Sequence, residues 1–288
     1  MPKYQIIASI LRDEIRNGQY ASGQMLPTEE QLTERFAASR QTIRQALSLL
    51  VAEGLISKLR GSGSRVHGQN EPPRSGNIAV IATYISDYIF PGILREAESV
   101  LTANKYTAIL AATRNSVYNE RSILADLLTK PIDGMLVEGT KTALPNPNLD
   151  LYGRFMERRI PIVFFNGYYP DLSGTVSVYA DNFGGGYELV QYLLVIGHET
   201  IAGIFKSDDI QGHQRYSGYL TALRDANRLI SDSSVFWYTT ENKHELFTEE
   251  LAQKIAECSA VVCYNDEIAF RLIPLLQAHG IRVPRDVS

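Results

Sequence analysis

Two arginines and a glycine-spaced basic segment contain the side chains in this sequence that are best suited to bind a partner molecule. Arg40 and Arg44 are four residues apart at the start of a predicted helix, so their guanidinium groups share one face. Residues 60–65 read Arg-Gly-Ser-Gly-Ser-Arg, and Lys58 precedes them. Guanidinium and ammonium groups beside a glycine turn are typical of contacts with bases and phosphates of double-stranded DNA.

Capping residues in the sequence predict where the helices that carry these cations begin. Thr28 and Gln31 have the spacing of a capping box, which predicts a short helix that buries Leu32 and Phe36. Ser39 is positioned to cap the next helix. We expect the buried stripe of that helix to contain Ile43, Ala46, Leu47, Leu50 and Val51. The opposite face, with Arg40, Gln41, Thr42 and Arg44, is then free to read bases and to contact phosphates.

A β-hairpin is predicted after Gly54. Residues 55–59 alternate like a strand, Gly61 and Gly63 allow a tight turn, and residues 64–66 return. This hairpin is the predicted wing of the DNA-binding motif. Lys58, Arg60 and Arg65 would give it positive charge for contacts with phosphates.

The charge distribution agrees with a DNA-binding N-terminus. Residues 1–67 carry nine Lys and Arg against six Asp and Glu, a net charge of +3, and the remainder carries −7. An arginine pair alone is usually a solvated helix face, and a glycine hairpin alone is usually only a turn. Their order within about sixty residues favours DNA binding.

Residues 2–67 resemble the N-terminal domain of the GntR family of bacterial transcription regulators. The resemblance implies DNA contacts from Arg40, Thr42, Arg44, residues 60–63 and Lys3. Some members of that family carry Arg at the position of Glu30; a glutamate there cannot hold phosphate but can accept a hydrogen bond from cytosine N4. The complete set of predicted DNA-binding residues is Lys3, Glu30, Ser39, Arg40, Gln41, Thr42, Arg44, Lys58, Arg60, Gly61, Gly63 and Arg65.

Composition limits the class of protein. The chain has 288 residues, of which 44% are hydrophobic, enough for a second core. We see neither a signal peptide nor an apolar run near the roughly twenty residues that span a bilayer, and we expect a cytoplasmic protein. Cys258 and Cys263 suggest neither a disulfide framework nor a zinc site, so no metal and no cofactor is predicted.

Residues 68–76 are polar and proline-rich, which indicates a linker. After it, apolar runs alternate with amphipathic stretches, which predicts parallel sheets of the doubly wound type. The predicted strands are residues 78–82, 108–112, 134–137, 161–165, 202–205, 235–238 and 260–264.

Ligands of such sheets bind beyond the carboxyl ends of the strands. The side chains there are unusually polar and aromatic, which suits the hydroxyl groups and the apolar face of a sugar. The alternative is that each of them only caps the helix that follows. The predicted effector-binding residues at these positions are Asp87, Tyr88, Phe90, Glu138, Lys141, Asn166, Asp208, Gln211 and Asn265.

Residues 77–288 resemble the regulatory domain of the LacI family, which is similar to periplasmic sugar-binding proteins. The matching segments are residues 180–186, 196–198, 215–219 and 263–269. The resemblance implies two lobes, at about 77–178 and about 179–288, and a clamp on ligand hydroxyls from Arg215 flanked by Asn166 and Asn265. We expect Gly184, Gly185 and Gly186 to allow close helix packing, because they lack the spacing of a nucleotide loop.

The fold class is therefore multidomain: a winged helix-turn-helix (α+β), residues 1–67, followed by an α/β two-lobed, periplasmic-binding-protein-like domain. This combination, with residues 83–91, 137–141 and 203–212, resembles the arabinose-responsive repressors of Gram-positive bacteria. The resemblance implies a homodimer that binds operator DNA and releases it when L-arabinose binds. It also implies that the chain, which ends at Ser288 where LacI-like domains continue into a further strand, is a fragment or is impaired in its sugar response.

The residues alone do not exclude other functions. The effector can be another pentose or a hexose, and the regulator can be an activator. An enzyme acting on sugars would need paired carboxylates, which Glu138 and Asp87 could supply, but it would leave the DNA-binding segment unexplained. A periplasmic sugar-binding protein would need an export signal. We therefore predict a regulator and assign no catalytic residue.

Overall fold

The chain forms two units, each with its own hydrophobic core. The computed structural model describes residues 2–59, 63–67, 74–87, 89–228 and 231–288. The first unit is Met1–Ser75 and the second is Gly76–Ser288. Most of the predicted linker, residues 68–73, lies outside the described residues.

The first unit packs three helices against a two-stranded antiparallel sheet. Its elements are α1 (Lys3–Arg16), α2 (Glu29–Phe36), α3 (Arg40–Ala52), β1 (Ile56–Leu59) and β2 (Gly63–Val66). All five elements contribute to the core, which includes Leu11, Leu32, Leu47, Ile56 and Val66. This is the predicted winged helix-turn-helix arrangement.

Side-chain caps fix where α2 and α3 begin. The Thr28 hydroxyl accepts a hydrogen bond from Gln31 N at 3.2 Å, and Gln31 Oε1 accepts one from Thr28 N at 2.8 Å. The Ser39 hydroxyl accepts a hydrogen bond from Thr42 N. Both predicted caps are confirmed, and a cap of this kind stabilises a helix by about 1 kcal/mol.

One predicted core residue of α3 is not buried. Ile43, Ala46, Leu47 and Leu50 are enclosed as expected, but Val51 is 38% exposed. The prediction for Val51 was wrong because residue 51 lies about 100° around the helix from residue 50, at the edge of the stripe. Phe36 packs against the core and is only half-buried.

The second unit contains two parallel sheets flanked by helices. The strands are β3 (Asn77–Ala82), β4 (Thr107–Ala112), β5 (Gly134–Val137), β6 (Ile162–Phe165), β7 (Val176–Val178), β8 (Ile201–Lys206), β9 (Val235–Tyr238) and β10 (Ala260–Cys263). The helices are α4 (Phe90–Ala103), α5 (Val117–Leu127), α6 (Leu149–Glu157), α7 (Asn182–Val195), α8 (Ile210–Asp225), α9 (Glu249–Ala256) and α10 (Asp266–Ala278).

Every predicted strand is present, and one strand was missed. Strand β7 has three residues, and Val176 and Val178 on it are more than half exposed. Without a buried apolar run, a strand this short gives no periodic signal in the sequence. It pairs only with β6 among the described strands and forms the edge of the larger sheet.

The strand order determines where a ligand can enter. The larger sheet runs β4-β3-β5-β6-β7, and the smaller runs β10-β8-β9. In each sheet the chain passes from an inner strand, β3 or β8, to the neighbour on one side, β4 or β9, and then crosses to the neighbour on the other side, β5 or β10. Such a switch point opens a crevice beyond the carboxyl ends of the strands.

Glycine allows α7 and α8 to touch. A Cβ atom on Gly186 would overlap the carbonyl oxygen of Arg215, and one on Gly218 would overlap the carbonyl oxygen of Phe183. The predicted packing role of the glycine triplet therefore holds at Gly186. A Cβ on Gly185 would meet none of the described atoms within 4 Å.

We expect Gly186→Ala to destabilise the second unit by about 1–3 kcal/mol, because the helices must separate. Gly185→Ala is the matched control on the same helix, and it should be neutral or stabilising by up to about 1 kcal/mol, since alanine favours helix. Urea unfolding followed by circular dichroism measures both. Equal effects of the two substitutions would contradict the close-packing role.

Candidate functional site

The first unit presents its predicted DNA-binding cations on α3 and on the hairpin. The side chains of Arg40, Arg44 and Lys58 are 66%, 64% and 48% exposed. Each is near a carboxylate of α2: Arg40 lies 3.2 Å from Glu30, Arg44 lies 2.8 Å from Glu29, and Lys58 lies 3.9 Å from Glu29. The structure therefore brings α3 and β1 together around the N-terminus of α2.

Other predicted residues surround the start of α3. Lys3 Nζ donates a hydrogen bond to the carbonyl oxygen of Ala37, at 2.6 Å, in the turn before α3. The hydroxyls of Ser39 and Thr42 lie 2.8 Å apart, and Ser39 also caps the helix. Gln41 is exposed. Ser39 thus has a structural task whether or not it contacts a phosphate.

The hairpin is described only in part. Gly63 has φ of 100°, which favours glycine, and begins β2. Arg65 Nε donates a hydrogen bond to the carbonyl oxygen of Gly23, at 2.9 Å, so part of this guanidinium holds the preceding turn. The predicted contacts Arg60 and Gly61 lie outside the described residues.

A cavity of about 900 Å³ lies in the second unit, where loops after strands of both sheets meet. Its size is near the upper end of the range for small-molecule sites, about 300–1,000 Å³. The predicted effector residues that line it are Asp87, Phe90, Glu138, Asn166, Arg215 and Asn265.

Glu138 lies at the switch point of the larger sheet and is buried. It accepts hydrogen bonds from Thr83 N at 2.8 Å, from the Thr83 hydroxyl, and from Asn166 Nδ2 at 2.8 Å. Burial raises the pKa of Glu138 to about 7, although hydrogen bonds from Thr83 and Asn166 act in the opposite direction. Glu138 therefore orients Asn166 and titrates near neutral pH.

Lys206, the last residue of β8, brings a positive charge to the cavity. Its ammonium group lies 2.6 Å from Asp209 Oδ2 and 3.5 Å from Asp208 Oδ1. Burial alone would lower the pKa of Lys206, but the two aspartates outweigh it and raise this pKa. The ammonium group stays charged and can donate to a ligand oxygen.

Arg215 lies on the second turn of α8. Its Nε donates to Asn182 Oδ1 at 3.0 Å, and one terminal nitrogen donates to the carbonyl oxygen of Tyr264. The guanidinium carbon lies 4.7 Å from the centre of the Tyr264 ring, a cation-π contact. These contacts hold the Arg215 side chain at the cavity wall.

Three lining residues have a second task. Asn265 caps α10 by accepting a hydrogen bond from Ile268 N at 3.1 Å, as the capping alternative expects. Phe90 is 7% exposed and packs near Tyr84, so it also serves the core. Asp87 is exposed and bonds with the Ser86 hydroxyl at 3.1 Å.

Three predicted effector residues do not line the cavity. Lys141, which follows β5 of the larger sheet, forms a salt bridge with Glu241, which follows β9 of the smaller sheet. Asp208 is buried and accepts hydrogen bonds from the amide and the hydroxyl of Thr240, at 3.0 and 2.8 Å. Gln211 is also buried, on the first turn of α8. They were selected for following strands, but none of the three is among the residues that line the cavity. Tyr88 lies outside the described residues.

Sequence reasoning missed several lining residues. Among them are Thr83, Tyr84, Lys206, Tyr238, Thr240, Lys243, Tyr264, Glu267 and Arg271. Lys206 is the last residue of β8, whose other five residues are buried, and a polar side chain there is itself a signal. Tyr238 is the last residue of β9. Lys243 comes from a loop and Glu267 and Arg271 come from α10, and nothing in the sequence pattern separates them from solvated charges.

The described residues contain no cluster of His, Cys, Asp and Glu that could hold a metal ion. No helix among them is long and apolar enough to span a membrane. The arrangement offers exposed cations on one unit and a polar, partly aromatic cavity in the other.

Comparison with known proteins identifies these two parts. Residues 3–66 match the bacterial regulatory proteins of the gntR family, and residues 190–288 match a periplasmic binding protein-like domain. The structure of transcription regulator CcpA of Lactococcus lactis superposes with a TM-score of 0.64 at 26% identity, over 75% of this chain and 77% of that one.

Two curated relatives span both parts. The arabinose metabolism transcriptional repressor of Halalkalibacterium halodurans is 35% identical over 99% of this chain and 79% of its own length. That of Geobacillus stearothermophilus is 36% identical over 100% of this chain and 81% of its own length. The prediction of a regulator rather than an enzyme is confirmed by these relatives. The chain belongs to the family of bacterial transcriptional repressors that contains these two arabinose metabolism repressors.

Proposed function

We propose that the first unit binds operator DNA through α3 and the hairpin, and that L-arabinose in the cavity of the second unit releases it. The observation that carries this proposal is the cavity, where charged, amide and aromatic groups from both sheets converge. The choice of sugar follows from the two relatives, which are arabinose metabolism transcriptional repressors.

The DNA contacts follow from exposure and charge. Arg40 and Arg44 project from the first turns of α3, the part of a recognition helix that meets base edges in the major groove. Lys58 and Arg65, one on each strand of the hairpin, are exposed and are available for contact with phosphates. Lys3, Ser39, Gln41 and Thr42 surround the start of α3, and Glu30 lies beside Arg40.

The sugar contacts follow from donor and acceptor chemistry. Glu138 and Asp87 offer acceptors to hydroxyl groups, Lys206 and Arg215 offer donors, and Tyr264 offers a ring face. A sugar that binds residues from both sheets would hold the two sheets of the unit together. A sugar that favours one arrangement can shift DNA affinity by the difference in its binding to the two states.

The proposal includes a homodimer in the cytoplasm. Helix-turn-helix regulators commonly bind two half-sites of an operator with matching two-fold symmetry. It also includes the division into a DNA-binding domain at 1–67, a linker at 68–76 and a sugar-sensing domain at 77–288, with lobes that meet near residue 178.

L-arabinose should weaken binding of the protein to its operator duplex by about 5–150-fold, which corresponds to a coupling of about 1–3 kcal/mol. Gel-shift titration with and without the sugar measures this, and other pentoses and hexoses are run as controls. Unchanged affinity at saturating L-arabinose would rule out this sugar as the effector, and a response to another sugar would replace it.

Arg44→Ala should reduce operator affinity and relax the preference at one guanine, by about 1–3 kcal/mol, if its two terminal nitrogens read O6 and N7. Gln253→Ala, at an exposed position of α9 in the second unit, is a control that should leave affinity unchanged. Binding is measured by fluorescence anisotropy on duplexes with single base changes. Full base preference in Arg44→Ala would remove Arg44 from the reading residues.

Glu138 should make stability depend on pH. Its pKa is raised from the unfolded value of 4.5 to about 7, so its stabilising contribution is complete below the unfolded pKa and is lost as pH rises through about 7. Relative to Glu138→Gln, the wild type should lose about 2 kcal/mol of unfolding free energy between about pH 5 and about pH 7.5. Urea denaturation of both proteins measures this difference. A constant difference across that range would show that Glu138 does not titrate there.

A further inference from the structure

Asn115 is a buried residue that contacts loops of both sheets in the second unit. It lies in the loop between β4 and α5 and is 2% exposed. Its amide oxygen accepts a hydrogen bond from Lys141 N at 2.9 Å, in the loop that follows β5. Its amide nitrogen donates to the hydroxyl of Thr240, after β9, and to Asp208 Oδ2 at 3.4 Å, after β8. One side chain therefore joins loops that follow four strands, two from each sheet.

The chemistry of asparagine suits this position. The amide oxygen of Asn115 faces an N–H group, and the amide nitrogen faces a hydroxyl and a carboxylate, so the opposite orientation of the amide would satisfy none of these partners. Asn115 also has a φ of 53°, in the left-handed region that asparagine visits more readily than most residues. An aspartate would lose the donor, and an alanine would lose both polar groups and strain the backbone.

Two further contacts join loops of the larger sheet to the part of the unit that contains the smaller sheet. The hydroxyl of Thr142, which is 4% exposed, accepts a hydrogen bond from Ile210 N at 3.0 Å, at the start of α8. Lys141 forms the salt bridge with Glu241, whose side chain is 62% exposed, so water screens this pair. We call the contacts that Asn115, Lys141 and Thr142 make with residues 208–241 the seam.

The seam lies beside the cavity. Thr240 lines the cavity, whereas its partners Asn115 and Asp208 are not among the residues that line it. Glu138, another lining residue, belongs to the same loop as Lys141. Asn115 is therefore bonded to loops that carry residues of both cavity walls, but it is not placed to touch a sugar itself.

A sugar held by residues of both sheets needs the two walls of the cavity at a fixed separation. The apparent affinity for a ligand is proportional to the fraction of molecules that already have the binding arrangement. The seam favours one placement of the walls before any sugar is present. Because leaving a buried donor or acceptor without a partner is costly, the contacts of Asn115 are strong enough to change that fraction.

We propose that Asn115 is a positioning residue for the sugar response: it fixes the loops of the two sheets relative to each other and thereby sets the sugar concentration at which DNA is released. This inference rests on the proposed release of DNA by a sugar bound in the cavity.

The test uses the full chain and a duplex that the wild-type protein selects from a random-sequence library. Isothermal titration calorimetry measures the Kd for L-arabinose, and gel shift measures the sugar concentration that releases half of the duplex. Asn115→Gly removes both amide groups and keeps the positive φ without strain. It should raise both quantities about tenfold, while affinity for the duplex without sugar should not fall.

Asn115→Asp separates the contact within the larger sheet from the contacts with the smaller sheet. Its ionised carboxylate can still accept from Lys141 N, but it cannot donate to Thr240 and it repels Asp208. At about pH 8 it should weaken sugar binding at least as much as Asn115→Gly does. Wild-type sugar affinity in Asn115→Asp would overturn the proposal, because only the contact within the larger sheet would then matter.

Asn148→Ala is the matched control for a structural effect. Asn148 is fully buried, and its amide nitrogen donates to the carbonyl oxygen of Val117 and to Glu120 Oε2 at 2.8 Å, both on α5 beside the larger sheet. Its loss should lower the midpoint of thermal unfolding without changing the sugar concentration for half-release, because none of these contacts crosses the seam.

Thr142→Val tests the seam at a second position. It removes the hydroxyl that accepts from Ile210 N and keeps the size of the side chain. It should raise the Kd for L-arabinose in the same direction as Asn115→Gly, since the same two parts of the unit lose a buried contact. A Kd equal to that of the wild type would overturn the proposal that the seam sets sugar affinity.

The outcomes separate this inference from the proposed function. If the wild type neither binds L-arabinose nor releases the duplex, the proposed function fails, and this inference fails with it. If the wild type responds and Asn115→Gly responds at the same sugar concentration, only the inference fails. If Asn115→Gly and Asn148→Ala raise the Kd for the sugar equally, the role of Asn115 is only structural, and the inference is overturned.

Discussion

Pairing between cations and carboxylates of the same chain holds the ligand-facing charges of both units. Arg44 and Lys58 meet Glu29, and Lys206 meets Asp208 and Asp209. The exposed pairs add little to stability, at most about 1 kcal/mol each. Their main effect is geometric, because a paired side chain presents its remaining donors in a defined direction.

The charged side chains of the two sites differ in their exposure to water. On α3 the arginines remain in water, so a polyanion can compete for them and salt will weaken that contact. In the cavity, Lys206 and Glu138 are buried. Burial raises the pKa of Glu138, whereas Asp208 and Asp209 raise the pKa of Lys206 against the effect of burial. A neutral, hydroxyl-rich ligand fits such a cavity because it supplies donors and acceptors without adding a charge that must be desolvated.

Close contact between the backbones of α7 and α8 helps to position the cavity wall. Gly186 and Gly218 let α7 and α8 touch, and α8 carries Arg215 to the cavity wall. The Thr240 hydroxyl donates a hydrogen bond to Asp208, and Lys141 pairs with Glu241, so these contacts join loops that follow the strands. The residues that shape the cavity are therefore more numerous than those that can touch a ligand.

Local patterns in the sequence determined the elements. The capping box at Thr28, the cap at Ser39 and the buried runs of the strands depend on neighbours within a few residues, and the structure has them where they were predicted. Strand β7 lacked such a pattern. Tertiary structure alone decided which side chains share a site, because Lys206 and Glu138 are far apart in sequence and meet only where parallel strands end together. The exclusion of Lys141 and Gln211 from the cavity lining, and the contact of Glu29 with Arg44 Nε, likewise depend on packing between elements, which residue spacing does not encode.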